Sequence, residues 1–166
     1  MCKFKAILAK ILMIKYLGVK DIKIVEIDGK FYLQRKKDVR YFGDFGICIA
    51  AINCLKIFGI NIPIIVTDIW FDDLTRNNED MKQFILRHEI GHYELKHFQL
   101  DLDSMTIDDK INIEIEADKY ASDYVGNNMA LYSLESLEVY LDTKLNTHDD
   151  SIMKRINVIK EKIETA

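Results

Sequence analysis

The first hydrophobic pattern in the chain is an apolar stripe at helical spacing between Phe4 and Leu17. Its members recur every three or four residues, which predicts an amphipathic helix. They are Phe4, Ile7, Leu8, Ile11, Leu12 and Ile14. The lysines of this segment fall elsewhere on the helix, and Gly18 suits its end. We expect the stripe to pack on the domain core, although a basic amphipathic helix can also make peripheral contact with a membrane surface.

Apolar and polar residues then alternate over Ile22–Ile27, as they do along a half-buried strand. A second segment of the same kind runs from Phe31 to Gln34. The Asp28-Gly29 pair between them is a strong signal for a type I′ turn. The two segments therefore predict a β-hairpin.

Two further apolar segments precede the centre of the chain. Residues 47–58 form a run that fits a buried helix or a strand equally well. After the break at Gly59 and Pro63, Ile64 to Thr67 is rich in β-branched residues and predicts a short strand. That strand leads directly toward the segment with the most distinctive chemistry.

The rest of the pattern is helical. Asn77 to Asp80 offers capping residues and first-turn acids, and apolar residues then recur at helical spacing up to His92. Similar patterns cover residues 111–125, 130–141 and 151–163. We therefore expect one α+β domain over residues 1–166, with a small, mostly antiparallel sheet packed on the helix around His92 and a helical C-terminal half.

Composition narrows the functional classes. The chain has 166 residues, half of them apolar, a net charge of −4 and no dense basic run, which argues against nucleic acid as the partner.

No apolar run reaches the roughly 18 residues of a transmembrane segment, and Lys10 and Lys15 interrupt a signal-peptide pattern. Three cysteines, Cys2, Cys48 and Cys54, are an odd number without zinc-finger spacing, which fits a reducing compartment. We expect a cytoplasmic protein.

The most specific motif is H-E-x-x-H at His88, Glu89 and His92. Two histidines four apart on a helix share one face, so both imidazoles can reach the same zinc ion. A carboxylate beside them can take a proton from a zinc-bound water and deliver it to a leaving amine. With only four histidines in the chain, chance would produce about 0.006 such matches. Glu89 is the predicted general base.

Catalytic zinc needs a third protein ligand and an open position for water. The downstream candidates are His97, Asp101, Asp103, Glu114, Glu116 and Asp118. His97 would be rotated off the ligand face if the helix continued, and a metzincin-type third histidine is excluded by Phe98. A glutamate from a separate antiparallel helix suits the geometry better, which favours Glu114. Asp118, one turn later, can then hold the outer nitrogen of a ligand histidine.

These segments resemble the gluzincin family of the CAAX prenyl proteases and the HtpX heat-shock protease. In that family a strand precedes an H-E-x-G-H helix and an E-x-x-A-D helix follows, as residues 64–68, 77–97 and 114–118 do here. The pattern is also similar to that of the ImmA/IrrE metallopeptidases, which cleave phage-type or stress repressors. The resemblance covers roughly residues 60 to 160. It implies zinc on His88, His92 and Glu114, with Glu89 as base and Asp118 as orienting acid.

The C-terminal end carries a further likeness. His148, with Arg155-Ile156 after it, is similar to the H-P…R-I element of the prenyl proteases, although Asp149 stands where proline is usual. The resemblance implies that His148 and Arg155 lie near the substrate. Large members of that family have transmembrane helices, which this sequence lacks, so it is closer to small soluble gluzincins.

The main hypothesis is a zinc endopeptidase with a peptide or protein substrate. We expect the peptide to lie extended along the strand from Ile64 to Asp68, by strand addition, and so to contact Ile64 and Val66. One alternative is an ImmA/IrrE-like protease that cleaves a repressor. Another is a latent or non-catalytic regulatory protein that binds zinc.

Overall fold

The computed structural model describes residues 1–36, 49–57, 60–146 and 148–165, and in this part of the chain four strands form one mixed sheet. The strands are β1 (Ile22–Ile27), β2 (Lys30–Lys36), β3 (Ala50–Ile57) and β4 (Ile60–Thr67). Their order across the sheet is β1-β2-β4-β3. The outer pairs are antiparallel and the central β2–β4 pair is parallel. The α+β class is confirmed, and the sheet is mostly antiparallel as predicted.

The predicted hairpin is confirmed at β1 and β2. Ile27 pairs with Lys30, which leaves Asp28 and Gly29 as a two-residue turn. Their φ angles are +53° and +69°. A type I′ turn requires positive φ at both central positions, and glycine adopts it without strain.

Within the ambiguous run 47–58, the described residues form a strand rather than a helix, because β3 occupies Ala50–Ile57 and pairs with β4 along its whole length. Cys48 lies outside the described residues. Since β4 also pairs with β2 from Ile64 to Thr67, both of its edges are occupied there. The predicted addition of a substrate strand along Ile64 to Asp68 is therefore wrong. Within the described residues, β3 is the strand at that end of the sheet.

Six α-helices accompany the sheet in the described part of the chain, and the C-terminal half is helical as predicted. They are α1 (Lys3–Leu17), α2 (Ile69–Leu74), α3 (Glu79–Glu94), α4 (Ile107–Val125), α5 (Asn127–Leu145) and α6 (Asp150–Glu164). The predicted cap of α3 is present, because Asn78 accepts a hydrogen bond from the backbone of Met81 at 2.9 Å. Thr106 and Asp109 form a reciprocal capping box at the start of α4. None of the helices described is long and apolar enough to cross a membrane.

Alternate side chains of the central strands supply two separate cores. Tyr32 and Ile65 point toward α3, α5 and α6 and join the larger core. Leu33, Ile64 and Val66 point to the opposite face of the sheet and join a smaller core with α1. This follows from the two-residue period of a strand. It also places Ile64 and Val66 on the face that α3 does not cover, which is a second reason why they cannot line a substrate site next to that helix.

The N-terminal helix buries the face opposite to the one predicted. Its buried residues are Ala6, Ala9 and Met13, which lie against the sheet. The bulky apolar stripe faces outward, with Phe4 75% exposed and Ile11 53% exposed. The expectation that this stripe packs on the core is therefore wrong. The buried face thus combines two small side chains with Met13.

Candidate metal centre

The two histidines of the H-E-x-x-H motif lie on the same face of α3, one turn apart. Their Nε2 atoms are 3.1 Å from each other, and their rings meet edge to face. Met81, Phe84 and Ile85 are buried on the same side of the helix. His88 is buried with them, so its imidazole is held between packed side chains.

Glu114 on α4 completes a group of three. Its Oε2 atom lies 3.2 Å from His88 Nε2, and its Oε1 atom lies 3.4 Å from His92 Nε2. One ligand atom from each residue lies within 4.8 Å of the others, so the three side chains can hold a metal ion. Two imidazoles and one carboxylate are a donor set that suits zinc and leave a position for water.

Gly91 brings α3 and α4 close enough for this convergence. A Cβ atom added there would lie 3.2 Å from the Cα of Ala117 and 3.2 Å from the Cβ of Tyr120. Such contacts are tighter than ordinary van der Waals distance, so a glycine is what fits at this crossing. The small side chain of Ala117 contributes to the same close approach, because it is fully buried.

Asp118 fixes the outer nitrogen of His88. Its Oδ1 atom lies 2.8 Å from His88 Nδ1, as the sequence predicted for an orienting acid. Arg155 on α6 donates to both oxygens of the same carboxylate, at 2.7 and 2.8 Å. Burial raises the pKa of Asp118, but the charge of Arg155 and the contact with His88 outweigh it and hold that pKa below its usual value. Asp118 therefore remains a carboxylate inside the protein.

The role predicted for Arg155 has to be corrected. Its side chain is buried and binds Asp118, and its Nη1 atom lies 3.6 Å from Glu114. The guanidinium therefore contacts Asp118 and the candidate ligand Glu114 inside the protein, and its burial closes it to a substrate. His148, in contrast, is exposed and contacts Asp150, the first residue of α6. A substrate contact of His148 stays a prediction.

A second chain of contacts supports His92. Its Nδ1 atom lies 2.9 Å from His97 Nδ1, and His97 Nε2 lies 3.1 Å from Glu116 Oε2. Helix α3 ends at Glu94, and Lys96 adopts a left-handed conformation with φ +64°, which turns the chain so that His97 comes back to His92. A helix that continued past Glu94, as the sequence predicts, would instead rotate His97 off the ligand face. No glycine marks this helix end, so the sequence carried little signal for it.

The proton distribution between the two histidines is uneven. Burial lowers the pKa of His88, but Asp118 and Glu114 outweigh this and raise it to about 10. Burial and the positive charge of His88 lower the pKa of His92 to about 3. The group therefore carries one positive charge close to two carboxylates. A divalent cation between the three ligand atoms would take the place of that proton.

Glu89 is buried next to this group and differs from the other acids. Burial raises the pKa of Glu89 to about 7, and the nearby carboxylate of Glu114 acts in the same direction. The charge of His88 and a backbone hydrogen bond from Ile52 oppose this rise. Since Ile52 belongs to β3, the strand at the end of the described sheet passes beside the predicted base. A carboxyl group with a pKa near neutrality can both accept and release a proton.

The side chains predicted to form the centre are thus brought together, with Arg155 and His97 added to them. No protein-family model, curated protein or solved structure matches this chain. The geometry of the side chains is therefore the basis for a functional conclusion.

Proposed function

We propose that the protein is a zinc-dependent endopeptidase of the gluzincin type. The observation that carries the proposal is the convergence of His88, His92 and Glu114 beside the buried carboxylate of Glu89. A purely structural zinc site fills all four positions with protein ligands and needs no base. Here three ligands and one non-ligating glutamate match the composition of a hydrolytic site.

In this function His88, His92 and Glu114 would hold zinc, which would supply Lewis-acid chemistry and lower the pKa of a water molecule to about 7. Glu89 takes the proton of the attacking water and passes it to the leaving amine. The backbone of Ile52 on β3 lies beside the Glu89 carboxylate and favours its charged form. Asp118 and His97 keep the two imidazoles turned with Nε2 toward the ligand group.

The peptide substrate would lie along β3 rather than β4. Strand β3 ends the sheet within the described residues and contacts α3. A peptide chain added to this edge would run close to Glu89, because Ile52 of the same strand reaches that carboxylate. Main-chain hydrogen bonds to a sheet edge give affinity for an extended peptide with little dependence on its sequence.

The test compares the wild type with Glu89→Gln on casein and a peptide library, with and without a chelator. Glu89→Gln should retain zinc and the fold but lose about 10²- to 10⁴-fold in cleavage rate. Glu94→Gln is the matched control, because it makes the same chemical change on the same helix at a residue that binds Lys30 and Tyr32. Zinc is measured on the same samples.

Equal cleavage by the Glu89→Gln and wild-type proteins at equal zinc content would overturn the proposal. The alternatives give different results in the same assay. A non-catalytic zinc protein would bind zinc and cleave nothing, and a protease dedicated to a repressor would leave casein intact but cut that one protein.

A further inference from the structure

The outward face of α1 is an exposed apolar surface, which we call the α1 stripe. Its residues are each at least 42% exposed, and they are Phe4, Ile7, Leu8, Ile11 and Ile14. At 100° per residue these positions fall within about one third of the helix circumference. The opposite side of the helix, with Ala6, Ala9 and Met13, is the side that lies on the sheet. The α1 stripe is therefore turned directly away from the domain.

Charge distribution sets this helix apart from the rest of the protein. Residues 1–20 contain five lysines and neither aspartate nor glutamate, whereas the whole chain has a net charge of −4. Lys3 and Lys5 flank the beginning of the α1 stripe, Lys15 lies within its angular range near the end of the helix, and Lys20 follows the helix. One end of an acidic protein is thus both basic and apolar.

These two features together identify the partner. We propose that α1 docks the protein on a membrane surface that contains anionic lipids, with the α1 stripe in the headgroup region. Apolar side chains flanked by lysines characterise helices that lie in the plane of a membrane interface. Lysines can also extend their long side chains so that the ammonium groups reach the headgroups. The 15 residues of α1 extend only about 22 Å, which is too short to span a bilayer.

Pairing with a second copy of the chain fits the charges less well. Two α1 stripes packed on each other would bring the lysines of both helices together, and like charges across an interface oppose association. An anionic surface instead attracts each lysine, by about fivefold in affinity. The proposal does not rest on the peptidase function, because it concerns the opposite face of the sheet.

The experiment is flotation of the full chain with vesicles of phosphatidylcholine containing 30% phosphatidylserine, compared with pure phosphatidylcholine. We expect flotation with the anionic vesicles and much less with the neutral ones or at high salt. Leu8→Gln/Ile11→Gln should reduce binding at least tenfold, since two apolar side chains no longer enter the interface. Ile107→Gln/Val139→Gln is the matched control, because both residues are well exposed elsewhere and the change should leave binding unaltered.

The charge is tested in the same way. Lys5→Gln/Lys15→Gln should reduce binding about tenfold or more, whereas Lys119→Gln/Lys144→Gln should not. Circular dichroism checks that each variant is folded. Failure of the wild type to float with anionic vesicles would overturn the proposal, as would equal flotation of the α1 variants and their controls. A wild-type dimer that becomes monomeric on Leu8→Gln/Ile11→Gln, without vesicle binding, would assign the stripe to a second copy and also overturn it.

Discussion

His92 and His97 face each other through their Nδ1 atoms at 2.9 Å, and His97 reaches Glu116 through its other nitrogen. If His92 holds a metal through Nε2, its Nδ1 must carry the proton and donate it to His97. His97 then donates from Nε2 to Glu116. One arrangement of protons therefore satisfies both hydrogen bonds, from His92 to His97 and from His97 to Glu116. The same arrangement leaves His92 Nε2 unprotonated and free to bind a metal ion.

Replacing His97 by leucine should weaken zinc binding about 10- to 100-fold, because His92 loses the group that orients it. Glu116→Gln should have a smaller effect, since Glu116 is exposed and glutamine still offers an acceptor oxygen. The dissociation constant is measured by competition with a chelating dye. His148→Leu is the control. His148 is exposed, and among the described residues it contacts only Asp150, two positions further along the chain. Equal zinc affinity in both histidine variants would contradict the assigned role.

Asp118→Ala should affect both metal binding and stability. His88 loses its partner, so zinc affinity should fall about 10- to 100-fold. The buried guanidinium of Arg155 also loses its counter-charge, which typically costs about 3–5 kcal/mol in the free energy of unfolding. Denaturant unfolding measures the second effect.

A double variant separates these two roles of Asp118. Asp118→Leu/Arg155→Leu removes both buried charges and should recover much of the lost stability, because no unpaired charge remains. It should not recover zinc affinity, since leucine cannot accept a hydrogen bond from His88. Recovery of both properties together would contradict the separation.

Gly91→Ala should destabilise the protein by about 1–3 kcal/mol, although alanine is the better helix former. The added methyl group meets the Cα of Ala117, which is backbone and cannot rotate away. Moving α4 outward would also shift Glu114 relative to the two histidines, so zinc affinity should fall as well. Thermal unfolding and zinc titration measure the two effects. An unchanged or raised melting temperature would show that the helices have room for a methyl group here.

Removing the metal should lower the melting temperature. A ligand that binds only the folded state stabilises it by about 4 kcal/mol when its concentration is 1,000 times the dissociation constant. Zinc should therefore raise the melting temperature of the wild type and of Glu89→Gln relative to chelated samples. His88→Ala should show no such response. A zinc-dependent shift that survives loss of His88 would place the metal somewhere else.

Local chemistry was enough to predict much of this molecule. The Asp28-Gly29 turn, the cap at Asn78 and the histidine spacing each depend on a few neighbouring residues, and each appears as expected. Glu114 and Asp118 were found because four-residue spacing places them on one face of α4. These sequence signals do not depend on how distant segments of the chain pack together.

The errors arose where distant segments decide the outcome. Hydrophobic periodicity marked the bulky side of α1 as the face to bury, but the sheet receives the side with Ala6 and Ala9. The composition of β4 was that of a strand, yet its position between β2 and β3 depends on strand order. Arg155 lies 37 positions from Asp118, and no sequence pattern links them. The contact between His97 and His92 has no sequence signal, because no glycine marks the end of α3.

The positions of the contacting residues along the chain imply an order in which the candidate metal centre forms during synthesis. His88, His92 and Glu114 all belong to α3 and α4, which are consecutive α-helices, and short loops close at a lower entropy cost than long ones. A nascent chain that has emerged from the ribosome as far as α4 already contains all three predicted ligands. Asp118 lacks its guanidinium partner until α6 has left the ribosome and docked. A nascent chain would thus capture zinc loosely first, and the arrival of α6 would convert that early capture into an ordered site.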